Sequence, residues 1–303
     1  MIEVLRAGWC DLVMDQGRPG WGAFGVPVSG AAAPDALVAA NRLVGNDAAA
    51  AGLEITLAGP RLRFPLGGVA ALTGARFAAT RSRGEPVRWN ETLVLSAGEA
   101  LDLARVQDGC RCWLAVRGGL SVPLLMGSRS TFLPAGFGGF QGRALLAGDA
   151  LMVGASDAPV RLKRARPPVL GPAAVLRVIP GPQISRFDDA GLAAFFAGGY
   201  RLDAASDRRG LRLSGPAVTH VPMALPSQGV LPGAIQVPPD GQPIILGWDG
   251  PVTGGYPIIG GVIAADWDRL AQLRPGDAVR FATIEVEAAR RLAAVDWPIE
   301  VLG

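Results

Sequence analysis

Gly98–Leu101 (GEAL) carries the pattern that decides the fold of this 303-residue chain. The pattern returns at Gly148–Leu151 (GDAL) and at Gly276–Val279 (GDAV). Each copy places a glycine and an acidic residue, which favour a tight turn, directly before an apolar and strand-like run. Turns of this kind stand at the hairpin corners of barrel proteins. Because the copies fall in both halves of the chain, they indicate turn-and-strand architecture throughout.

Short β-prone runs recur between turn signals along the whole sequence. With 42 glycines, 25 prolines and a hydrophobic share of 50%, the chain has turns for many short strands and apolar residues for a large core. We predict a mainly β fold with a few peripheral helices, arranged as two barrel-like units. The predicted strands are Arg61–Phe64, Val69–Leu72, Arg76–Thr80, Thr92–Leu95, Trp113–Val116, Val175–Ile179, Ala234–Val237, Ile244–Leu246 and Ala278–Ile284.

A few stretches carry helical signals instead. Pro34–Val44 has a proline in its first turn and a glycine stop after its end. We expect Asp266 to cap a helix that places Trp267, Leu270 and Leu273 on one face. Two further helices are predicted at Ala190–Phe196 and Val286–Val295.

The stretch Ala155–Pro172 is the best domain boundary. It joins a basic cluster to four prolines and separates two glycine-rich, strand-like halves. We predict a β-rich domain over residues 1–158, a linker over residues 159–172 and a second β-rich domain over residues 173–303.

Charge and residue usage exclude several classes of protein. A net charge of +3 is too small to indicate nucleic-acid binding. His220 is the only histidine, so a zinc site with several histidine ligands is unsupported and we predict no metal. Cys10, Cys110 and Cys112 are odd in number and lack C-x-x-C spacing, which is typical of reduced thiols in a cytoplasmic protein.

The sequence also lacks the signals of export and of common active sites. Neither a signal peptide nor an apolar stretch of roughly 18 residues is present, so we expect no membrane association. There is no G-x-x-x-x-G-K-[ST] loop and no strand–G-x-G-x-x-G–helix unit, so nucleotide binding by a standard loop is unsupported. A Ser-His-Asp triad would have to use His220, whose apolar neighbours favour a structural role.

Turns that combine glycine, arginine and polar residues remain as candidates for chemistry. Glycine lets backbone N–H groups approach an anion, and arginine clamps a carboxylate through two parallel hydrogen bonds. Any one such turn is more simply a hairpin whose arginine pairs with a neighbouring acid, but together they are too specific to be generic. They are Asp15–Gly20, Gly25–Gly30, Ala115–Gly119, Met126–Thr131, Pro180–Gln183, Ser206–Arg212, Pro226–Val230, Ile235–Pro243 and Thr253–Pro257.

A family resemblance extends over nearly the whole chain. It is carried, in the family's order, by DQGRPGWGAFGVPVSGA, NRLVGN, GLEITLAGP, WLAVRGGLSVP, GSRST, GGFQGR, IPGPQ, SDRRGLRLSGP, LPSQGVLPGAIQVPPDGQPI, TGGYPIIG and RPGDAVRF. The sequence resembles the third subunits of bacterial ATP-dependent 5-oxoprolinases, a family also known as biotin-dependent carboxyltransferase or allophanate hydrolase subunit 2 proteins. GAIQVPPDGQPI and TGGYP are its most specific phrases.

The resemblance implies cyclophilin-like β-barrel domains and ATP-dependent opening of 5-oxo-L-proline to L-glutamate. It implies two partners, a kinase-inhibitor-like subunit of the B type and a lactam-utilisation-like subunit of the A type. The resemblance also implies that ATP is bound together with the partner subunits or by them. This chain would resemble the antagonist of the sporulation kinase inhibitor.

The expected substrate suits the residues of the turns. 5-Oxoproline offers a carboxylate to arginine and a lactam amide to glutamine or backbone groups. The predicted anion contacts are Arg18, Arg129 and Arg208, and the predicted polar contacts are Gln236, Thr253 and Tyr256. Arg117 and Arg212 are weaker candidates that we expect to be structural, and the sequence identifies no catalytic residue.

Several positions depart from the family pattern and leave other functions open. The segment Gly247–Thr253 lacks the usual basic residue and Gln-Thr pair, Ile258 stands where lysine is common, and Gln228 stands where glutamate is usual. These changes remove charge and put the substrate's identity in doubt. One alternative is half of a biotin-dependent carboxyltransferase acting on urea or another amide. The other is a non-catalytic regulatory partner of the kinase-inhibitor-like subunit.

Overall fold

The computed structural model describes residues 1–82, 84–157, 159–168, 174–221, 225–292 and 297–302. The chain divides into two compact units. The first comprises Met1–Arg18, Ser29–Pro168 and Asp296–Gly303, and the second comprises Pro19–Val28 and Val169–Val295. Each unit thus takes a short segment that a purely linear division would give to the other, and the division at residues 159–172 stays a prediction.

The first unit is built on an eight-stranded sheet and one helix. The sheet runs in the order β2-β3-β7-β4-β1-β8, with β5 paired to β7 and to β6, and β9 pairs separately with β19. The elements are β1 (Ile2–Arg6), β2 (Cys10–Met14), α1 (Pro34–Val44), β3 (Gly52–Thr56), β4 (Arg61–Phe64), β5 (Gly68–Arg81), β6 (Leu93–Leu95), β7 (Glu99–Val116), β8 (Ala150–Leu151), β9 (Lys163–Ala165) and β19 (Ile299–Val301).

Helix α1 packs on strands β5 and β7 of this sheet, and buried polar groups fix its position. The predicted bounds Pro34–Val44 are confirmed in full. The hydroxyl of Thr73 on β5 donates to the Ala36 carbonyl, 2.8 Å away. At the other end, Gly45 adopts the left-handed conformation, and the Asn46 side chain donates to the carbonyl oxygens of the Asn41 side chain and the Val116 backbone. The phrase NRLVGN is therefore a helix-stop motif in this fold.

The second unit is a closed seven-stranded barrel, which confirms the mainly β fold with barrel architecture. Its strands follow the order β10-β17-β14-β15-β12-β11-β18, and a parallel pair of β10 and β18 closes the circle. The elements are β10 (Ala174–Pro180), α2 (Asp189–Ala197), β11 (Tyr200–Leu202), β12 (Gly210–Ser214), β13 (Gln228–Gly229), β14 (Ala234–Gln236), β15 (Ile244–Leu246), β16 (Thr253–Gly254), β17 (Ile258–Val262), α3 (Trp267–Ala271), β18 (Ala278–Thr283) and α4 (Val286–Leu292).

Aromatic packing fills one part of the barrel core. Phe195 of α2 stacks on Phe281 of β18 with ring centroids 4.3 Å apart. Tyr200 lies beside both rings, and its hydroxyl is 3.2 Å from the Ala194 carbonyl oxygen and 3.1 Å from that of Pro216. Burial raises the pKa of Tyr200 to about 12. Among the described residues, no helix is long and apolar enough to cross a membrane.

The three glycine-acid turns share one geometry, as the sequence pattern predicts. Gly98, Gly148 and Gly276 have positive φ angles of 78°, 92° and 87°. In each turn the acidic side chain accepts a hydrogen bond from the backbone N–H three residues earlier, over 2.7 to 2.9 Å. Each acid also pairs with an arginine: Glu99 with Arg81, Asp149 with Arg143 and Asp277 with Arg274.

Three details differ from the sequence prediction. The runs Val69–Leu72 and Arg76–Thr80 belong to the single strand β5, because Gly74 takes a positive φ and the strand continues through a register shift. Asp266 stands before α3 but makes no side-chain cap, since its carboxylate instead holds the backbone N–H and guanidinium of Arg177. Leu273 lies beyond the end of α3, and residues 293–295 of the predicted last helix lie outside the described residues.

Asp11 on β2 is a buried acid in the sheet of the first unit. Its side chain is 1% exposed, and one oxygen accepts the N–H of Gly8 at 2.6 Å while the other has no hydrogen-bond partner among the described residues. Burial raises the pKa of Asp11 from 3.8 to about 7, against the smaller lowering effects of the Gly8 hydrogen bond and of Arg6. The folded state thus holds a proton that the unfolded chain releases near pH 4.

This difference predicts that the stability of the chain falls between pH 4 and pH 7. The folded state binds more protons than the unfolded state in that window, so raising the pH favours unfolding. Asp11→Asn cannot titrate, and its stability relative to wild type should improve by about 4 kcal/mol as the pH rises through the window. Urea unfolding at a series of pH values measures this, with the exposed Asp157→Asn as control. A constant difference between Asp11→Asn and wild type over the window would contradict the assignment.

Candidate functional site

A buried carboxylate brings two of the family phrases together in the first unit. Asp15 follows β2, and its side chain accepts hydrogen bonds from the hydroxyls of Ser128 and Ser130 at 2.6 and 2.7 Å. It also accepts the backbone N–H groups of Gly17 at 2.8 Å and Arg129 at 2.5 Å. Four donors occupy the carboxylate, so Asp15 holds the turn DQGR against the segment GSRST.

Arg18 is part of the same assembly. Its side chain is 1% exposed, donates to the Ser130 carbonyl and lies over the Phe137 ring, 5.1 Å from the centroid. Gly138 has a positive φ, and a Cβ there would overlap the Ser130 carbonyl. Only glycine fits beside this arginine, which explains the glycine-rich phrase that follows Phe137.

Arg129 is the candidate anion contact with the most donors to spare. Its Nε donates to the Val122 carbonyl at 3.0 Å, and its backbone N–H is held by Asp15. Within the described part of the chain, no hydrogen bond or ion pair engages the other two guanidinium nitrogens of this half-buried side chain. Arg129 can therefore donate to a carboxylate or phosphate without breaking an existing contact.

The remaining candidate arginines have other surroundings. They are Arg117 in the first unit and Arg208 and Arg212 in the second. Arg208 forms a two-point ion pair with the buried Asp249, through Nε at 2.9 Å and an Nη at 3.1 Å. Arg117 donates to the Val44 carbonyl at the end of α1, and Arg212 is an exposed residue of β12. The ring of His220 packs edge-on against Phe187 with centroids 5.7 Å apart.

Three glutamines meet at the ends of the barrel strands. Gln183 Nε2 donates to Gln228 Oε1 at 3.0 Å, and Gln183 Oε1 accepts the backbone N–H of Ile258 at 3.1 Å. Gln236 is 5% exposed and pairs across the sheet with Ile258. A Cβ on Gly254, the residue opposite Gln228, would overlap Gln236 Nε2. We call Gln183, Gln228 and Gln236 the amide cluster.

Two further predicted contacts lie on the chain segment beside this cluster. Thr253 is exposed on the short strand β16, and Tyr256 is 45% exposed between β16 and β17. Neither side chain makes a hydrogen bond within the described residues. No group of three or more His, Cys, Asp or Glu residues in the described chain is placed to hold a metal ion.

The structure therefore sorts the predicted site residues into three places. Arg18 and Arg129 lie on neighbouring turns of the first unit, both tied to the segment 128–130. Gln236, Thr253 and Tyr256 lie near one another in the second unit, and Arg208 is paired with Asp249. Asp15 and Gln183 are not among the residues predicted from the sequence to form the site, although both stand in the family phrases, at the start of DQGRPG and the end of IPGPQ.

The assembly around Asp15 predicts a large loss of stability on a small change. Asp15→Asn replaces one acceptor oxygen with an amide donor that faces donors already in place. We expect the free energy of unfolding to fall by about 3 kcal/mol. Urea unfolding followed by tryptophan fluorescence measures it, with Asp157→Asn as the exposed control. A loss no larger than that of the control would show that Asp15 is not needed to hold the two segments.

Comparison with known proteins identifies the family to which the chain is similar. The family described as "Carboxyltransferase domain, subdomain A and B" matches residues 24–283. The C subunit of 5-oxoprolinase from Escherichia coli (strain K12) is 41% identical over 295 residues, which cover 95% of this chain and 93% of that protein. The C subunit of 5-oxoprolinase from Haemophilus influenzae is 35% identical over 294 residues, with 96% and 94% coverage.

A solved structure supports the same placement. The crystal structure of the urea amidolyase from K. lactis superposes with a TM-score of 0.88 at 32% identity. The match covers 95% of this chain but 19% of that larger protein. A family match over most of the chain and relatives of nearly equal length agree with each other: the chain belongs to the carboxyltransferase domain, subdomain A and B family.

Proposed function

We propose that this chain is one component of an ATP-dependent 5-oxoprolinase complex that opens 5-oxo-L-proline to L-glutamate. The observation that carries the proposal is the end-to-end likeness to a protein of almost the same length, the C subunit of the E. coli 5-oxoprolinase. That relative is by name one member of an assembly of several chains. We place a kinase-inhibitor-like subunit of the B type and a lactam-utilisation-like subunit of the A type beside this one.

The proposed chemistry begins with activation of the lactam by phosphorylation. Transfer of the γ-phosphoryl group of ATP to the lactam oxygen would make the ring carbon electrophilic, and water would then complete the opening with release of phosphate. The sequence has no standard phosphate-binding loop, and we place ATP with the partner subunits. We place the assembly in the cytoplasm, in keeping with three cysteines that are odd in number and lack C-x-x-C spacing.

Within this chain, we assign substrate contacts to the predicted residues. Arg129 is the strongest candidate for the carboxylate, because its terminal guanidinium nitrogens have no other partner in the described chain. Arg18 and Arg208 would act from positions already tied to Ser130 and Asp249. Gln236, Thr253 and Tyr256 form a separate group of proposed polar contacts in the second unit. This chain would contribute to catalysis through these contacts.

A second function is favoured by the likeness to the K. lactis urea amidolyase, whose TM-score of 0.88 covers 95% of this chain. Under this alternative, the chain is half of a biotin-dependent carboxyltransferase acting on urea or another amide. Biotin would then be attached to a different protein. A genome neighbour with biotin carboxylase and biotinyl-lysine domains would favour this alternative over the first proposal.

Reconstitution tests the main proposal. The chain combined with partners of the A and B types should release glutamate from 5-oxoproline when ATP is supplied, and omission of the chain should abolish the release. A complex that assembles normally and releases no glutamate would reject the proposed substrate.

Arg129→Gln tests the carboxylate contact in the same assay. Losing a hydrogen bond to a charged group should raise the KM for 5-oxoproline by about tenfold or more. Arg105→Gln is the matched control, because Arg105 is exposed and its side chain makes no hydrogen bond or ion pair in the described chain. An unchanged KM in Arg129→Gln, in a complex that turns over normally, would remove Arg129 from the substrate site.

A further inference from the structure

The hydrogen bonds of the amide cluster have a fixed direction. The backbone N–H of Ile258 can only donate, so the atom of Gln183 that meets it must be the oxygen. Gln183 therefore presents its NH₂ group to Gln228, and Gln228 must answer with its oxygen. The NH₂ group of Gln228 is thereby turned away from Gln183, and it is buried without a hydrogen-bond partner among the described residues.

Gln236 supplies a second donor of the same kind. Its Nε2 is buried and has no hydrogen-bond partner in the described chain, and the side chain is only 5% exposed. It lies against Gly254, and Gly254 is paired with Gln228 across β13 and β16. The two unpaired NH₂ groups thus belong to side chains that flank the same short segment of backbone.

Buried amide donors without partners are unusual, because native proteins satisfy nearly all of them. Two in one place, one of them on a side chain that Gln183 orients, are suited to an acceptor supplied by a ligand. The side-chain hydrogen bonds of Gln183 and Gln228 involve no charged side chain in the described residues. The donors are therefore neutral, which suits an uncharged carbonyl oxygen; a carboxylate is typically bound by arginine.

We propose that Gln228 and Gln236 bind the carbonyl oxygen of an amide or lactam substrate through their NH₂ groups, with Gln183 as the residue that orients Gln228. This deepens the proposed function and rests on it for the identity of the lactam. The cluster thus selects for an amide carbonyl.

Binding without ATP tests the proposal directly. The probes are 5-oxoproline, 2-pyrrolidinone, which keeps the lactam but has no carboxylate, and proline, which keeps the carboxylate but has no lactam carbonyl. Ligand-observed NMR and calorimetry on the assembled complex should show saturable binding of both lactams. Gln236→Glu should weaken both by about tenfold or more, because a carboxylate cannot donate and repels the carbonyl oxygen. Gln107→Glu, on the exposed part of β7, should change nothing.

Methionine variants separate binding from folding. Gln228→Met and Gln236→Met keep the volume and remove the donors without adding charge, and the thermal unfolding midpoint of each complex reports its stability. Both variants should weaken binding of the two lactams while the midpoint stays near that of wild type.

Two variants of Gln183 test its orienting role. Gln183→Glu still accepts the N–H of Ile258 but offers Gln228 an acceptor, so Gln228 should turn its NH₂ group inwards and present its oxygen to the ligand. Binding of both lactams should then fall about as far as in Gln228→Met. Gln183→Met leaves Gln228 free to take either orientation and should weaken binding less. Equal, wild-type affinity in both variants would remove Gln183 from the orienting role.

The outcomes discriminate between this inference and the proposed function. Wild-type affinity for both lactams in folded Gln228 and Gln236 variants would overturn the inference and leave glutamate release as the test of function. Loss of affinity for 2-pyrrolidinone in those variants, in a complex that does not open 5-oxoproline, would support the inference and reject the proposed function. No saturable binding of either lactam by the wild-type complex, or equal binding of proline, would also overturn the inference.

Discussion

Closure of the barrel in the second unit is the constraint on which its chemistry depends. Each of the seven strands has two neighbours, so the backbone polar groups of the strands are satisfied within the circle. The interior is filled by apolar side chains such as Leu176, Ile235 and Val279, and polar side chains are left to the outer face, the strand ends and the loops. Gln236 is the last residue of β14, and its amide reaches the loop strands there.

The departures from the family pattern acquire a physical meaning in this setting. Gln228 and Ile258, two of the positions at which the sequence departs from the family it resembles, both belong to the hydrogen-bonded surroundings of Gln183. In the altered segment Gly247–Thr253, Asp249 has a partner in Arg208. The second unit thus holds a neutral amide cluster and, in the altered segment, an acid paired with an arginine.

Sequence reasoning succeeded where local rules decide the structure. Pro34–Val44, Arg61–Phe64 and Ile244–Leu246 match the observed elements in full, because turn residues and helix-stop residues define their ends. It failed where a distant contact decides. Asp266 has the residue type and position of a cap, yet Arg177 from another strand takes its carboxylate. A glycine at position 74 would be expected to end the strand. It forms a bulge within β5 instead, because β7 continues to pair on both sides of it.

The candidate site shows the same limit. Its arginines and Gln236 could be chosen from residue type and family phrases. Whether their N–H groups are already hydrogen-bonded, however, depends on neighbours far away in the sequence. Arg208 differs from Arg129 in its pairing with Asp249, which no local pattern connects to it. The direction of the amide cluster follows from the N–H of Ile258, 75 positions after Gln183, and from the pairing of Gln228 with Gly254.

The parallel pair of β10 and β18 has a consequence for how the barrel forms. The glycine-acid turn at Gly276 closes over a few residues, so its hydrogen bonds can form early and locally. The register of Ala174 with Val279 instead joins the two ends of the unit's main segment, and a large loop entropy opposes it until the intervening strands are in place. Closure is thus the high-contact-order step of folding, and until it occurs β10 and β18 are open edges available to other chains.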